Sequence, residues 1–572
     1  SNYRMLQEAD RIVDEVMQLA TRLDGVISGE HGVGLTKIQY LDADKLEQFV
    51  AYKNSVDPEH HFNRGKLMPG SGLGSAYTPS LRLLQQEAII LEASELGALN
   101  DDVKHCLRCG KCKPVCMTHV PRANLLYSPR NKILATGLII EAFLYEEQTR
   151  RGLSLRHFDD MNDVADHCTI CHKCLNPCPV NIDFGDVTMR MRKILVERGQ
   201  KKSTPATKAA MAFLNTTNVR SVHLYRKVLA QWGFAGLNLG HRVAKTFGLL
   251  KPKLPGATVE RPAMKEQVVE LVRRPIRVEL PKRSFREILR LEDKTQVPII
   301  RNPDKPKNGD AVFYFPGCGS ERLFSDIGLA SIAMLAETGA QTILPPSYLC
   351  CGYPQNAAGM EERGTQITTE NRVLFHRIAN TLNYLDIGTV VVSCVTCMDQ
   401  LLKYEFERIF PGCRLLDIHE YLLEKGVKLD GATGRQYLYH DPCHSPMKTH
   451  NPLKVAQELT GSRVELSDRC CGESGTLGTA RPDIASQLRF RKSEELLGDI
   501  SAMTGKERAD ESETKLLTSC PACQQGLAKY ADETGLKTDY IVVEMARQLL
   551  GEGWQQRFLD KAAQGGIERV LL

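Results

Sequence analysis

Val312-Phe313-Tyr314-Phe315-Pro316-Gly317-Cys318 and, 125 residues later, Tyr437-Leu438-Tyr439-His440-Asp441-Pro442-Cys443 carry the same local grammar. Each is an aromatic and aliphatic run of strand character that ends in a proline turn presenting a cysteine. The match continues downstream. Cys350-Cys351-Gly352 is answered by Cys470-Cys471-Gly472, with Cys351 and Cys471 120 residues apart. Val390-Val391-Val392 leads into Ser393-Cys394 and Cys397; Leu516-Leu517 leads into Ser519-Cys520 and Cys523, 126 residues on. Self-similarity at one period is an internal duplication. Strands alternating with helical patterning predict two α/β halves, each with a mainly parallel sheet. The cysteines then lie beyond the carboxyl ends of strands, where such folds build their sites.

Working back from the duplication, eight more cysteines form two C-x2-C-x2-C-x3-C runs: Cys106, Cys109, Cys112, Cys116 and Cys168, Cys171, Cys174, Cys178. A four-iron cube wants four soft ligands, and two-residue gaps let one loop reach three irons while a distant thiolate takes the fourth. In two-cluster ferredoxins the fourth cysteine of each run serves the other cluster. By that rule Cys106, Cys109, Cys112 and Cys178 hold one [4Fe–4S] cluster; Cys168, Cys171, Cys174 and Cys116 hold the second. Structural zinc usually shows two separated pairs instead. Of the nineteen cysteines, only Cys413 falls outside these sets and has no assigned role.

At 572 residues the chain calls for about three or four domains. We divide it into 1–70, a glycine-rich amino-terminal piece; 71–100, a linker and helix; 101–197, the two-cluster region with a helical spacer at Ile133–Tyr145; 198–308, a basic helical connector; and the repeats 309–430 and 431–572. Helices are also predicted over 3–23, 42–55 and 80–96. Val26-Ile27 looks like a strand entering a tight turn. Residues 251–310, rich in proline and charge, read as a connector. No run reaches the roughly 18 apolar residues of a membrane span, and no signal peptide is visible. The net charge of +5 is too mild to imply a nucleic-acid partner. An odd cysteine count dominated by C-x2-C pairs suits a reducing, cytoplasmic compartment and metal ligation rather than a disulfide framework. Residues 198–259 contain no Asp or Glu but eleven Lys or Arg, with Leu224, Val228, Leu229, Trp232 and Phe234 at loose helical spacing. Basic amphipathic helices with tryptophan bind anionic membrane surfaces, so peripheral association with the inner face of the cytoplasmic membrane is one reading. Helices packed on the two-cluster region with charges facing water are the other.

The long helical spacer, with Met117 where proline is usual, resembles the α-helical ferredoxin type of fumarate reductase iron–sulfur subunits. The sets Cys318, Cys350, Cys351, Cys394, Cys397 and Cys443, Cys470, Cys471, Cys520, Cys523 resemble the CCG domain of the cysteine-rich subunit of heterodisulfide reductase. The same domain occurs in the iron–sulfur subunits of glycolate oxidase, lactate-utilisation and anaerobic glycerol-3-phosphate dehydrogenase systems. The resemblance covers about 310–550 and implies one or two further iron–sulfur clusters of non-cubane type. A structural role, zinc or an ordinary cube for one set stays open. His440, Asp441 and His444 flank Cys443 and are candidates for proton transfer, against the plainer reading of surface or hydrogen-bonding histidines.

At the amino terminus, Ser28-Gly29-Glu30-His31-Gly32-Val33-Gly34 with Lys37, and then Asn63-Arg64-Gly65-Lys66, resemble the end of the FAD-linked oxidase domain of D-lactate, glycolate and D-2-hydroxyglutarate dehydrogenases. The resemblance covers 1–70. It implies that His31 is general base or substrate ligand near the flavin, that Glu30 binds a divalent metal holding the hydroxy acid, and that Asn63 and Lys66 lie near FAD. The family's Asn-Pro-Gly-Lys is Asn-Arg-Gly-Lys here. The flavin-binding half is expected upstream, fused or separate, so the chain reads as the carboxyl portion of a longer polypeptide that begins here at Ser1-Asn2. The expected architecture is multidomain: an incomplete α+β FAD-oxidase segment, an α-helical two-cluster ferredoxin, and a pseudo-twofold duplicated α/β CCG domain. The expected activity is oxidoreductase chemistry on the CH–OH of a D-2-hydroxy acid, with electrons passing from FAD through two [4Fe–4S] clusters and the CCG module to quinone or another acceptor. A heterodisulfide-reductase-like thiol–disulfide reductase and a general electron-transfer subunit are the alternatives.

Overall fold

The computed structural model describes residues 3–29, 32–71, 81–120, 127–149, 155–250, 254–256, 261–277, 280–429, 434–473 and 476–572. Two compact units are present: residues 1–105 with 136–157, and residues 106–135 with 158–572.

The first unit is helical among its described residues. Its helices Tyr3–Arg22 and Ala43–Val56 match the predicted ones, and Leu81–Ala93 and Glu95–Val103 follow. Asp42 caps the second by accepting from the backbone N–H groups of Asp44 (2.9 Å) and Lys45 (3.3 Å), satisfying donors that have no helical partner. The Asp57-Pro58 break works as a turn: the Asp57 carboxylate accepts from the N–H groups of His61 and Phe62, each at 2.9 Å. Val26-Ile27 does not form the expected strand. Val26 is 81% exposed, and a β-branched pair becomes a strand only where a neighbouring strand accepts its ladder.

In the second unit the duplication appears as two sheets of one topology. The first half has β2 (Ala311–Phe315), β3 (Gln341–Ile343), β4 (Ile387–Val392) and β5 (Arg414–Asp417), preceded by β1 (Gln296–Ile300). The second half has β6 (Gln436–His440), β7 (Val464–Leu466), β8 (Thr514–Thr518) and β9 (Lys537–Tyr540), followed by β10 (Ile567–Leu571). The parallel orders β3-β2-β4-β5 and β7-β6-β8-β9 correspond strand for strand. Phe315 pairs with Val392 and His440 with Thr518, so Phe315 and His440 are counterparts. Residues 251–310 are more than a connector. β1 extends the first sheet antiparallel to β3, and β10 returns to pair antiparallel with β1. Within the expected spacer, one helix runs Pro129–Thr149.

The halves share one core, in which Tyr314, Ile418, Tyr439, Leu517 and Tyr540 are fully buried. Their polar ends are satisfied in parallel. Tyr314 bonds Ser393 Oγ at 2.7 Å and Tyr439 bonds Ser519 Oγ at 3.0 Å, while Tyr540 donates to the carbonyls of both serines at 3.0 Å. The serine before each C-x2-C pair is therefore a buried anchor for the cysteine that follows.

Candidate metal centres

The two four-cysteine loops share one backbone. Arg108 and Ile170, each two residues after the first cysteine, have φ of 56° and 54°; Gly110 and His172, each just after the second, have 77° and 54°. Left-handed residues in such turns aim successive N–H groups inward, the concavity found at many iron–sulfur sites. For non-glycine residues this conformation costs about 1–3 kcal/mol and persists where its surroundings impose it. The inward groups find sulfur: Ile170 N–H donates to Cys168 Sγ at 3.4 Å and Ile182 N–H to Cys178 Sγ at 3.3 Å.

Cys106, Cys109, Cys112 and Cys178 line one cavity, with Cys174 and Phe184 also in its wall. Cys116 Sγ lies 3.4 Å from Thr118 Oγ1, which donates to the carbonyl of His167, the residue before Cys168. Burial first, then the nearby thiols of Cys443, Cys168 and Cys116, push the Cys171 thiol up to about 12. Burial likewise raises Cys112 and Cys174. A cation bound among these thiols would take their protons away, since a coordinating thiol is deprotonated outright.

Each five-cysteine set also converges. In the first, Cys318 interacts with Cys350, Cys350 with Cys351, Cys351 with Cys397, and Cys397 with Cys394. The second repeats this order from Cys443 through Cys470, Cys471 and Cys523 to Cys520, with Cys471 and Cys523 sulfurs 3.5 Å apart. Neighbouring thiols set each other's acidity. Hydrogen bonding from Cys397 brings Cys394 down to about 7, and that from Cys470 brings Cys471 down to about 5, while Cys351 and Cys394 drive Cys397 up and Cys471 and Cys520 drive Cys523 up. Like charges this close cannot all ionise without a cation between them. Gly317 shows how tightly the thiols are cradled: a Cβ there would stand 2.6 Å from Cys397 Sγ. The donor sets, soft and nearly all thiol, fit iron–sulfur clusters.

The second set has one feature its counterpart lacks. His440 is fully buried, its Nδ1 lies 3.2 Å from the Ser467 carbonyl, and its Nε2 has no hydrogen-bond partner. Burial, with the Lys492 ammonium, takes its imidazole down to about 3. His444 instead joins modules. Its Nδ1 meets Asp399 of the first repeat, its Nε2 meets the Ile170 carbonyl, and its ring stands against His172 at 5.1 Å. Asp441 bonds Tyr439, and burial raises its carboxyl.

The ferredoxin loops are clamped between the repeats. Arg192 donates to the Cys168 carbonyl (3.0 Å) on one side and the Ala357 carbonyl (2.8 Å) on the other. Lys173 pairs with Asp468 at 2.5 Å, and Arg491 donates to the His119 carbonyl at 2.6 Å. Near the first set, a cavity of about 260 Å3 reaches Cys350, with Leu349, Ile367, Asn215, Asn371 and Lys294 in its walls.

Asn63 and Lys66 lie in the loop after helix Ala43–Val56, where the buried Lys53 ammonium donates to both backbone carbonyls at 3.0 and 2.9 Å. Their side chains are exposed. Glu30 and His31 lie outside the described residues. Cys413 is half-buried beside the aromatic core of the first repeat; burial raises its thiol to about 11, and it packs as a small apolar side chain. Sequence reading missed the cavity at Cys350 and singled out His440 only for its place beside Cys443. The signal was there in the spacing: His440 stands three residues before Cys443, where Phe315 stands three residues before Cys318.

Four known families match this chain. Residues 1–67 match the C-terminal domain of FAD linked oxidases, 102–182 a 4Fe-4S dicluster domain, 312–401 and 437–528 a cysteine-rich domain, and 528–572 a domain of unknown function. An uncharacterized iron–sulfur protein of Methanococcus maripaludis is 28% identical over 244 residues, 41% of this chain and 45% of that protein. A subunit of the fumarate reductase (CoM/CoB) of Methanothermobacter marburgensis is 27% identical over 237 residues, 40% of this chain and 44% of that one. The probable glycolate oxidase iron–sulfur subunit of Bacillus subtilis is 21% identical over 470 residues, 78% of this chain and 94% of that subunit. The chain thus spans less than half the length of the first two relatives and nearly all of the third. It carries the end of a FAD-linked oxidase domain, a 4Fe–4S dicluster domain and a duplicated cysteine-rich domain.

Proposed function

We propose that this chain is the electron-transfer portion of a flavin-dependent D-2-hydroxy-acid dehydrogenase of the glycolate or D-lactate type, delivering electrons to a membrane quinone. The likeness to the glycolate oxidase iron–sulfur subunit and to the FAD-oxidase terminus supports the class of donor. The observation that carries the reading is that thiols of neighbouring sets stand near one another. Cys116 stands near Cys171, and Cys171 near Cys443 of the second repeat. Clusters held there would supply one-electron steps between a two-electron flavin and the acceptor. Cys106, Cys109, Cys112 and Cys178 would hold one cube and Cys168, Cys171, Cys174 and Cys116 the other, with the two CCG sets beyond them. The residues around the sets keep the spacing fixed: His444 and Asp399 tie the repeats together, and Arg192 holds the Cys168 loop against the first.

The cavity at Cys350 offers an acceptor apolar walls at Leu349 and Ile367 and polar side chains at Asn215 and Lys294, the mixed lining that small-molecule sites share. In the dehydrogenase His31 would take the hydroxyl proton, with Glu30 holding a divalent metal, and Asn63 and Lys66 would lie near FAD. The flavin-binding half would come from a partner or an upstream domain. The purified chain alone is therefore expected not to oxidise D-lactate or D-2-hydroxyglutarate with a dye acceptor; turnover by the chain alone would sink the reading. Reduced with dithionite, it should pass electrons to a soluble quinone. Reduction of a disulfide but not of quinone would favour a thiol–disulfide reductase, the activity class that ten convergent thiols also allow.

The basic helical stretch supports membrane docking. Leu224, Val228, Trp232, Leu239, Val243 and Phe247 recur every four or seven residues, and all are exposed. Lys227 sits 5.6 Å from the Trp232 ring centroid. An exposed apolar row on a stretch whose own charged residues are all cationic matches an anionic lipid surface. Among the described residues no helix is long and apolar enough to cross a membrane. The chain should co-float with liposomes containing anionic phospholipid and lose that binding when Trp232 and Phe247 are changed to Ser. Failure of the unaltered chain to bind would remove the membrane from the proposal.

A further inference from the structure

We propose that His440 is a nitrogen ligand of the metal centre held by the second five-cysteine set, which makes the two CCG sites chemically unequal. The inference rests on the reading that these sets hold iron–sulfur clusters. Three observations carry it. First, a ring nitrogen of His440 and the sulfurs of Cys471 and Cys523 all lie within 4.8 Å of one another. Ligands of one tetrahedral first-row metal, bound at about 2.0–2.3 Å, stand roughly 3.5–3.8 Å apart. The 3.5 Å between Cys471 and Cys523 is within that range.

Second, the ring is oriented as a ligating histidine is. Nδ1 faces the Ser467 carbonyl, which only accepts, so Nδ1 carries the proton. Nε2 is then the lone-pair nitrogen, and it is buried without a partner. Ligating histidines characteristically donate their other ring N–H to a carbonyl or carboxylate. The Ser467 carbonyl is itself pinned by the Lys492 ammonium at 3.1 Å, and Lys492 pairs with Glu495 at 2.7 Å. A buried nitrogen left unmatched is costly, and binding iron removes that cost.

Third, the duplication supplies an internal control. The strand position three residues before Cys318 is Phe315, packed in an apolar cluster with Cys351, Cys394 and Cys397. Its ring can offer iron nothing. The chain thus has the same five thiols twice, once beneath a phenyl ring and once beneath an imidazole. Where neutral imidazole joins thiolate at iron, the reduction potential rises. The second site is then the more readily reduced of the two.

The test uses the full chain, purified anaerobically and labelled with 15N-histidine. Pulsed EPR of the reduced protein should show a strongly coupled histidine nitrogen that changes with the label. His440→Phe, which copies the first repeat, should lose that coupling, keep at least three quarters of the iron at the second set, and lower the midpoint potential of one centre. Phe315→Trp serves as a packing control and should leave the nitrogen signal in place. Iron present at the second set without a strongly coupled nitrogen overturns this proposal alone; the labelled unaltered chain decides this even if His440→Phe fails to fold. Iron content that does not fall in Cys471→Ser overturns both this proposal and the iron–sulfur reading of that set.

Discussion

Changing Cys471 to Ser is expected to remove about four irons per chain, from about sixteen to about twelve, and to leave the signals of the two ferredoxin sets unchanged. Cys471 is the middle of its set, in contact with both Cys470 and Cys523. A hydroxyl keeps the volume but is a harder and less acidic ligand than thiolate, and iron–sulfur sites select soft donors. The surroundings leave no substitute ligand a path inward, because Gly526 and Tyr530 close over the Cys471 backbone and Tyr530 donates to its carbonyl at 3.1 Å. The same change should lower the unfolding temperature of the second repeat, since binding free energy at such a site is also folding free energy. Anaerobic iron and sulfide quantitation, with EPR on the same samples, reads both parts. An unaltered chain with about eight irons would confine the clusters to residues 106–178.

Much of this arrangement was legible because ligand spacing and strand patterning are local. Val312–Phe315 and Tyr437–Tyr439 are buried aromatic and aliphatic runs, and each became the strand β2 or β6 leading into its cysteine turn. What stayed hidden was set by distant partners. β1 contains Pro298 and lies in a charged, proline-rich stretch, and it becomes a strand because β10, some 270 residues later, pairs with it from Gln296–Leu571 to Ile300–Ile567. Val26-Ile27 is the converse, a local strand signal with no neighbouring strand among the described residues. Neither the closeness of Cys171 to Cys443 nor the cavity at Cys350 has any local signature, since each is made where separate segments meet. His440 was visible as a residue type but not as a donor. Its meaning came from the unpartnered Nε2 and from Phe315 in the matching place.

Arg286→Met should destabilise the first repeat by about 3–5 kcal/mol, the usual consequence of stripping one partner from a buried ion pair. Arg286 and Glu321 are both buried, at 0% and 1% exposure. The guanidinium pairs with Glu321 and donates to the Pro345 carbonyl at 2.8 Å and the Leu291 carbonyl at 3.3 Å. It also lies beside the rings of Phe285 and Tyr348. Methionine fills part of the space but takes the paired cation from a buried carboxylate and a donor from each of two carbonyls. Burial already pushes the Glu321 carboxyl upward against the pull of Arg286 and Arg322, so without Arg286 the group should take up a proton or draw in water. Glu321 sits three residues after Cys318, in the turn Gly319–Leu323, and that turn sets where the Cys318 thiol stands. Loss of the pair should therefore appear twice in Arg286→Met: as a thermal transition lowered by roughly 6–20 °C, and as iron lost from the first five-cysteine set while the second keeps its own. The double variant Arg286→Met with Glu321→Leu separates charge from packing, because replacing both members of a buried pair by apolar groups is often close to neutral. Recovery of stability in the double variant would assign the loss to the stranded carboxylate. An unchanged transition in Arg286→Met alone would show that the pair does not hold the Cys318 turn.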